Sequence, residues 1–315
     1  MSKTLRLGTR GSQLALFQAN AVADMLRERA DVQCEIVVIK TSGDRLADAP
    51  LAQIGGKRLF VKEIEDALLS DSVDLAVHSS KDMPAVLPDG LDVGAVLPRE
   101  DARDALVLPV GRTHNLGASA KIGTSSVRRI AQLIRLFPGA SFVPVRGNLD
   151  TRLRKLDGGE YDALVLAAAG LSRLGHAARI SSALDVDACV PAPGQGIIAV
   201  EIRTDNPHVR ELVATINDPA PAAALEAERA VVVRLGGGCQ MPIGAHAELR
   251  ERTLMLTAIV ISPDGTRSAR AGVSGPVTEA ERLGADAADQ LLARGAGDIL
   301  ADVERARAAV EGLQP

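Results

Sequence analysis

Several short segments combine residue types that bind anions or transfer protons, and each follows an apolar, strand-like run. In residues 123–129, three hydroxyl residues and two arginines open a predicted helix. Unpaired amides and the helix dipole favour an anion at such a place, and a guanidinium can hold a carboxylate through two parallel hydrogen bonds. The alternative is an ordinary serine-capped helix with solvent-facing arginines. The segment alone is compatible with both interpretations.

Residues 145–152 repeat this arrangement at a second predicted strand–helix junction. Asn148 is a helix-capping residue type, Asp150 suits the positive end of a helix, and Arg146 and Arg152 flank the same opening. Open α/β sheets bind ligands at the carboxyl ends of their strands. Two arginine-rich helix starts in one part of the chain predict an anion pocket as readily as they predict solvated helix ends.

A polar turn follows the predicted strand 73–78 and brings an acid and a base together. Lys81 and Asp82 lie in this turn, which Pro84 bounds. A carboxylate at the end of a strand can transfer protons or stabilise a developing cation. As a solvated ion pair, the same two residues would contribute little stability. His78, at the end of the strand, is interpreted as a structural histidine.

Two further segments extend this set of candidate residues. Arg10 and Ser12 mark another helix start after a predicted strand. Residues 55–60 are glycine-rich at their beginning and are interpreted as a flexible active-site lid that contains Lys57 and Phe60. Phe60 fits an apolar core equally well.

One of the three cysteines has an unusual setting. Cys239 directly follows the three glycines 236–238, which allow backbone and thiol to approach a ligand closely. The setting therefore fits a reactive or modified Cys239 thiol as well as it fits a Cys239 packed in the core. Cys34 and Cys189 lie beside apolar runs and are expected to be buried. Three cysteines without a CxxC pair or an even number for disulfides are typical of a reducing cytoplasm.

Composition excludes several classes of protein. The 315 residues carry a net charge of -4, so no overall positive field attracts nucleic acid or an anionic membrane. Four Phe, one Tyr and no Trp provide no base-stacking platform. No apolar run approaches the ~20 residues that span a bilayer, and the first residues lack the pattern of a secretory signal. The five histidines lack metal-ligand spacing, so no metal site is expected.

Short apolar runs alternate with helical patterns through the first part of the chain, which predicts an α/β fold with mainly parallel sheets. Predicted strands are 5–9, 35–40, 73–78, 121–123, 141–146 and 163–166, and predicted helices are 12–29, 61–70, 125–137 and 148–156. From Pro219 the pattern changes. A helix to Leu235, strands at 245–249 and 253–261 and a helix at 278–293 predict a separate small α+β domain.

A short internal similarity, between residues 7–12 and 122–126, suggests two related lobes. Turn-rich segments at 98–103 and 190–196 are expected to lead the chain out of the first lobe and back into it. We therefore expect lobe 1 to comprise 1–97 and 198–218, lobe 2 to comprise 98–197, and a C-terminal domain to comprise 219–315.

In their order and spacing, these segments resemble the porphobilinogen deaminase family. The similarity runs from about Leu5 to the final helices, and its motifs are residues 9–12, 55–60, 77–84, 123–129, 146–153, 166–173, 191–196 and 236–244. The resemblance implies two lobes like those of periplasmic binding proteins and a C-terminal domain that carries the cofactor. It also implies a monomeric enzyme, while the composition is that of a cytoplasmic protein that does not bind nucleic acid or membranes.

The resemblance further assigns roles to individual residues. It implies a dipyrromethane cofactor attached covalently to Cys239 through a thioether, and a catalytic role for Asp82. Around the acidic cofactor and the growing product it places Arg10, Ser12, Lys81, Thr124, Ser125, Ser126, Arg128, Arg129, Arg146, Arg152, Arg173 and Gln195.

The reaction implied by the resemblance joins four porphobilinogen molecules, with loss of ammonia, into the linear tetrapyrrole hydroxymethylbilane. The competing hypothesis is a non-enzymatic anion-binding module, because a two-lobed, arginine-lined cleft also traps solutes. The lack of an export signal, the third domain and Cys239 on its glycine-rich loop oppose this alternative. A nucleotide-binding enzyme is less favoured, since neither a P-loop nor a G-x-G-x-x-G fingerprint is present.

Overall fold

The structure is a computed structural model, and it describes residues 4–45, 61–112, 116–237 and 241–311. Its strands are β1 Leu5–Thr9, β2 Cys34–Val38, β3 Leu75–Ser79, β4 Leu91–Val96, β5 Asp104–Val107, β6 Lys121–Gly123, β7 Ser141–Val143, β8 Ala163–Ala167, β9 Ser182–Ala183, β10 Ile198–Arg203, β11 Ile243–Arg250, β12 Thr253–Ile261 and β13 Ser268–Pro276. Its α-helices are α1 Gln13–Ala30, α2 Ser42–Arg45, α3 Lys62–Leu69, α4 Val127–Leu133, α5 Leu149–Asp157, α6 Ala168–Arg173, α7 Pro207–Ala214, α8 Pro219–Arg234, α9 Ala280–Ala293 and α10 Ala296–Glu311.

Two sheets share one topology. The strand orders are β2-β1-β3-β10-β4 in the first sheet and β7-β6-β8-β5-β9 in the second. In the first sheet β1 pairs in parallel with β2 and β3, and β10 runs antiparallel to both of its neighbours. In the second sheet β6 pairs in parallel with β7 and β8, and β5 is the reversed strand. The predicted α/β class with mainly parallel sheets is therefore confirmed.

The reversed strand of each sheet is supplied by a crossing of the chain. After β4 the chain passes to the second sheet and enters β5, and after β9 it returns to the first sheet as β10. The two connections lie side by side, because the Glu100 amide donates to the Gly196 carbonyl over 3.1 Å. A Cβ on Gly196 would lie 2.4 Å from the Glu100 oxygen, and its φ of +87° is also one that favours glycine. Glycine thus permits the close approach at which this hydrogen bond joins the two connections.

The third sheet, β11-β12-β13, is entirely antiparallel and packs against α8 and α9. Its core contains Val231 of α8, Leu256 of β12 and Leu283 of α9, all buried. Strand β12 begins and ends at the predicted residues, whereas β13 was not predicted. The predicted α+β character of this part of the chain is confirmed.

Helix α4 and strand β7, which lie at the two arginine-rich junctions, are shorter than their sequence patterns predict. Helix α4 covers Val127–Leu133 within the predicted 125–137, because Ser126 is its N-cap. Strand β7 ends at Val143, and Pro144, which has no amide hydrogen to donate to a sheet, follows it.

None of the described helices is both long enough and apolar enough to cross a membrane.

Candidate functional site

A cavity lies at the carboxyl ends of β1 and β3, where an open α/β sheet binds its ligands. Strand β3 is almost fully buried, and the chain leaves it through a single 3-10 turn, Ser80–Asp82. This turn places the half-buried side chain of Asp82 in the cavity wall. The polar side chains that share the wall with it are Arg10, Ser12, Gln18, His78 and Ser79.

The start of helix α1 forms the opposite side of this cavity. Ser12 is the N-cap residue, and its hydroxyl oxygen accepts a hydrogen bond from the Ala15 amide over 3.3 Å. Arg10 precedes the helix and is partly buried. Gln18 lies in the second turn of α1 and is 2% exposed, and its Nε2 makes no hydrogen bond with the described part of the chain. The predicted helix start at residues 10–12 therefore contributes to the same cavity as Asp82.

Lys81 extends from this turn to the connection that returns from the second sheet. Its Nζ donates to Oε1 of Gln195 over 3.4 Å. Burial lowers the pKa of Lys81 to about 8, the Asp82 carboxylate opposes this shift, and the Arg129 guanidinium adds to it. Lys81 remains mostly protonated at neutral pH, so the turn presents a cation beside the Asp82 carboxylate.

Arg128 and Arg129 bind a carboxylate of the protein itself. Arg128 Nη1 donates to Asp104 Oδ2 over 2.7 Å, and Arg129 donates to Oδ1 through Nε at 2.9 Å and Nη2 at 2.7 Å. Gln195 Nε2 also donates to Oδ1, over 2.9 Å. Burial alone would raise the pKa of Asp104, but the two guanidinium groups hold it well below its usual range. Asp104 is thus the buried centre of this cluster.

Sequence reasoning missed Asp104, since an aspartate at the start of the apolar strand β5 carries no motif of its own. The arginines extend the cluster into the core through backbone carbonyls: Arg128 donates to Val190 over 2.7 Å and Arg129 to Val165 over 3.0 Å. Cys189, buried as expected, lies 3.3 Å from Asp104 Oδ2. Cys34, by contrast, is only partly buried.

The three hydroxyl residues before α4 build the turn that leads into this helix. Ser125 Oγ donates to the Val145 carbonyl over 2.9 Å and accepts from the Val145 amide over 3.1 Å. Ser126 Oγ accepts from the Arg129 amide over 3.4 Å as the N-cap. Thr124 is buried, and its Oγ1 accepts from the Ser126 amide over 3.3 Å. These hydroxyls hold the junction of β6 and α4 in shape.

Arg146 and Arg152 differ from the first arginine pair because neither forms an ion pair with an acidic side chain of the described residues. Arg152 Nε donates to the Gly147 carbonyl over 2.8 Å, and Arg146 makes no hydrogen bond or ion pair with the described residues. Burial lowers the pKa of Arg152 to about 10, with Arg129 and Arg146 adding to the shift and Asp82 opposing it. Arg152 is thus close enough to Arg146 and to Asp82 for its charge to interact with both.

Arg173, at the end of α6, contacts the returning connection. Its Nη2 donates to the Gly196 carbonyl over 2.6 Å, and burial lowers its pKa. The remaining candidate residues, Lys57, Phe60 and Cys239, lie outside the described residues. Among the described residues, Asp82 shares a cavity with Arg10, Lys81 contacts Gln195 on the returning connection, and Arg152 is electrostatically coupled to Asp82.

Comparison with known proteins identifies the family. Residues 5–211 match the model "Porphobilinogen deaminase, dipyromethane cofactor binding domain", and residues 222–293 match "Porphobilinogen deaminase, C-terminal domain". The porphobilinogen deaminase of Geobacter metallireducens is 49% identical over 310 residues, which cover 98% of both chains. That of Syntrophobacter fumaroxidans is 48% identical over 306 residues, covering 96% of this chain and 99% of the other. The chain belongs to the porphobilinogen deaminase family.

A fold comparison adds one solved structure of low sequence identity. The periplasmic VFT2 domain of Bordetella pertussis BvgS aligns with 68% of this chain and 86% of its own, at 18% identity and a TM-score of 0.40.

Proposed function

We propose that this protein is a transferase that joins four porphobilinogen molecules head to tail into hydroxymethylbilane. In each coupling the aminomethyl C–N bond of one porphobilinogen breaks and the nitrogen leaves as ammonia. A C–C bond forms between the remaining methylene carbon and the free α-carbon of the preceding pyrrole, which then loses its proton. Water finally releases the product, adding hydroxyl to its terminal methylene carbon and a proton to the α-carbon left behind.

One observation carries this proposal: the Asp82 carboxylate is electrostatically coupled to Arg152, and neither Arg152 nor the neighbouring Arg146 forms an ion pair with a described acidic side chain. Arg146 and Arg152 are partly buried, and their charge is not neutralised by any described carboxylate. Porphobilinogen carries an acetate and a propionate, and each coupling proceeds through positively charged pyrrole. A carboxylate with guanidinium groups near it complements both features.

Asp82 is proposed to act on the reacting pyrrole. Its carboxylate can accept a pyrrole N–H bond, and it gains interaction energy as positive charge develops, which lowers the barrier to loss of ammonia. Arg10, Lys81, Arg146 and Arg152 are proposed to hold the carboxylates of substrate and product. Arg128, Arg129, Arg173 and Gln195 are proposed to support this surface, because each already binds an acceptor within the protein.

The family's dipyrromethane cofactor fits this donor set, since its acetate and propionate groups suit the same unpaired guanidinium groups. We propose that it is attached to the Cys239 sulfur through a thioether, on the loop between α8 and β11. When bound, it supplies the free pyrrole α-carbon to which the first substrate is joined. We also propose the division into two lobes and a C-terminal domain at residues 97/98, 197/198 and 218/219.

The test is a stoichiometric assay of the purified protein with porphobilinogen. We expect release of four ammonia molecules for each hydroxymethylbilane, which is quantified as its cyclised and oxidised uroporphyrin. Heat-denatured protein is the control for spontaneous condensation. Saturable binding of porphobilinogen without ammonia release would instead establish a non-enzymatic anion-binding protein and refute this proposal.

A further inference from the structure

His78 and Glu201 form a buried pair at the wall of the Asp82 cavity, and the proposed role of Asp82 does not use it. His78 Nε2 lies 2.9 Å from Glu201 Oε2, with His78 5% exposed and Glu201 fully buried. The pair joins neighbouring antiparallel strands, since His78 faces Ala199 across β3 and β10, two residues from Glu201. His78 lines the same cavity as Asp82 and Arg10.

The two polar atoms of this pair that do not take part in its hydrogen bond, Glu201 Oε1 and His78 Nδ1, indicate a function. Glu201 Oε1 is buried and has no hydrogen-bond partner among the described residues. His78 is therefore the observed side-chain partner of the Glu201 carboxylate. The other ring nitrogen of His78, Nδ1, makes no hydrogen bond with the described residues either, although the ring lies in the cavity wall. A purely structural buried histidine would normally have both nitrogens satisfied. Here one nitrogen is anchored by a carboxylate and the other is open to a ligand.

We propose that His78, oriented by Glu201, accepts the proton that the pyrrole α-carbon loses in each coupling. This inference rests on the function proposed above and deepens it by assigning a second proton-transfer group. The arrangement matches the general rule that a carboxylate fixes the tautomer of a catalytic imidazole and stabilises the imidazolium that forms.

The step balances without any further reactant. Once the new C–C bond has formed, the α-carbon still carries its hydrogen and the ring carries a positive charge. The C–H bond breaks, its electron pair restores the aromatic ring, and the proton passes to His78 Nδ1. The Glu201 carboxylate stabilises the resulting imidazolium through Nε2–H. The proton then passes to the ammonia released in the same coupling, which leaves as ammonium. Asp82 is thereby free to assist the earlier loss of ammonia.

The experiment compares protiated porphobilinogen with porphobilinogen deuterated at its free α-carbon. With deuterated substrate, the second, third and fourth couplings each break a C–D bond. For His78→Gln we expect elongation to slow by ~10²-fold or more, as on removal of a general base. We also expect a larger primary isotope effect than in the wild type, because proton removal then limits the rate. Glu201→Gln keeps the shape and a hydrogen bond but removes the charge, so it should shift both measurements in the same direction by less.

His208→Gln is the matched control, because His208 is exposed on α7 and lies outside the cavity. It should show wild-type rate and isotope effect. Intact mass and thermal unfolding of every variant establish that the protein is folded and carries its attached group. A slowed His78→Gln enzyme with an unchanged isotope effect would show that His78 only supports the fold, and would overturn the proposal.

Two other outcomes are distinguishable from that one. If His78→Gln does not fold, Glu201→Gln decides, and a wild-type isotope effect there overturns the inference. If the wild type releases no ammonia from porphobilinogen, the proposed function itself fails, whatever the variants do.

Discussion

Arg99 and the fully buried Glu228 form an ion pair that joins the crossing between the two sheets to the first helix of the C-terminal domain. Arg99 Nη1 lies 2.6 Å from Glu228 Oε1. The same carboxylate accepts from the Gly194 amide on the returning connection over 2.6 Å and from the Ala247 amide of β11 over 2.7 Å. One side chain therefore binds the outgoing connection, the returning connection and the third sheet.

We expect Glu228→Gln to lower the free energy of unfolding by ~3–5 kcal/mol, because Arg99 is left without its counter-charge and an amide NH₂ faces backbone donors. Urea denaturation measures this loss. The control is Asp289→Asn, since Asp289 pairs with Arg234 at the surface, where both side chains are more than half exposed. That variant should lose less than ~1 kcal/mol. Equal losses in the two variants would contradict a special role of the buried junction.

The Asp104 cluster predicts a pH dependence. Its pKa is held below the unfolded value of ~3.9, so the stability that Asp104 contributes is present above that value and is lost as pH falls through the folded pKa. Asp104→Asn should be less stable at neutral pH by ~3–5 kcal/mol, because two buried guanidinium groups lose their carboxylate. The difference from the wild type should shrink on acidification below about pH 4. Urea denaturation of both proteins at neutral pH and below about pH 4 tests this. A difference in unfolding free energy that does not change with pH would show that protonation of Asp104 is not linked to stability.

Replacement of Arg146 should impair the handling of acidic pyrroles without unfolding the protein. Arg146 has no described internal partner, so Arg146→Leu leaves no described carboxylate of the protein without its counter-charge. A carboxylate of the bound ligand, by contrast, would lose ~2–5 kcal/mol of interaction. Arg146→Lys should restore little of the lost cofactor attachment and elongation rate, because an ammonium cannot form bidentate hydrogen bonds with a carboxylate. The amount of attached cofactor and the rate of elongation are the measurements. Arg154→Leu, at an exposed site of the neighbouring helix, should change neither.

Asp82 is expected to act electrostatically rather than in binding. Asp82→Asn keeps the shape of the side chain but loses its charge, and removal of such a preorganised group commonly lowers turnover by ~10²–10³-fold. Asp82→Glu keeps the charge and should retain more activity. The measurement is single-turnover ammonia release by variants already loaded with cofactor, which separates failed chemistry from failed assembly. Near-normal release by the Asn variant would remove Asp82 from the mechanism.

Cys239→Ala should give a folded protein that lacks the covalent cofactor and is inactive, because the methyl group of alanine offers no sulfur for a thioether. Intact-protein mass is the measurement: the wild type should exceed its sequence mass by two linked pyrroles, and the variant should not. Cys34→Ala and Cys189→Ala should keep the added mass. Persistence of the added mass in Cys239→Ala would place the attachment elsewhere.

The sequence by itself determined most of the elements that carry the site. Strands β1 and β6 begin and end at the predicted residues, because short apolar runs followed by polar turns leave little freedom in where a strand stops. Ser12 and Ser126 cap the helices that follow, and the two strands occupy equivalent positions in their sheets. The internal similarity noted in the sequence therefore corresponds to a repeated local structure. The motifs also identified the family, while the roles of the individual site residues remain predictions.

Only the tertiary structure distinguished one arginine segment from the other. Arg128 lies near the start of a predicted helix and Arg146 at the end of a predicted strand just before one, and both were predicted to bind carboxylates. Arg128 is neutralised by Asp104, which lies 24 residues away in the chain, whereas Arg146 has no such partner among the described residues. A guanidinium binds whichever acceptor the fold brings within reach, and that choice depends on the position of β5, a reversed strand whose place in the sheet is set by the chain crossing. The free energy of a charge is thus fixed by its surroundings across the sheet, which no local pattern specifies.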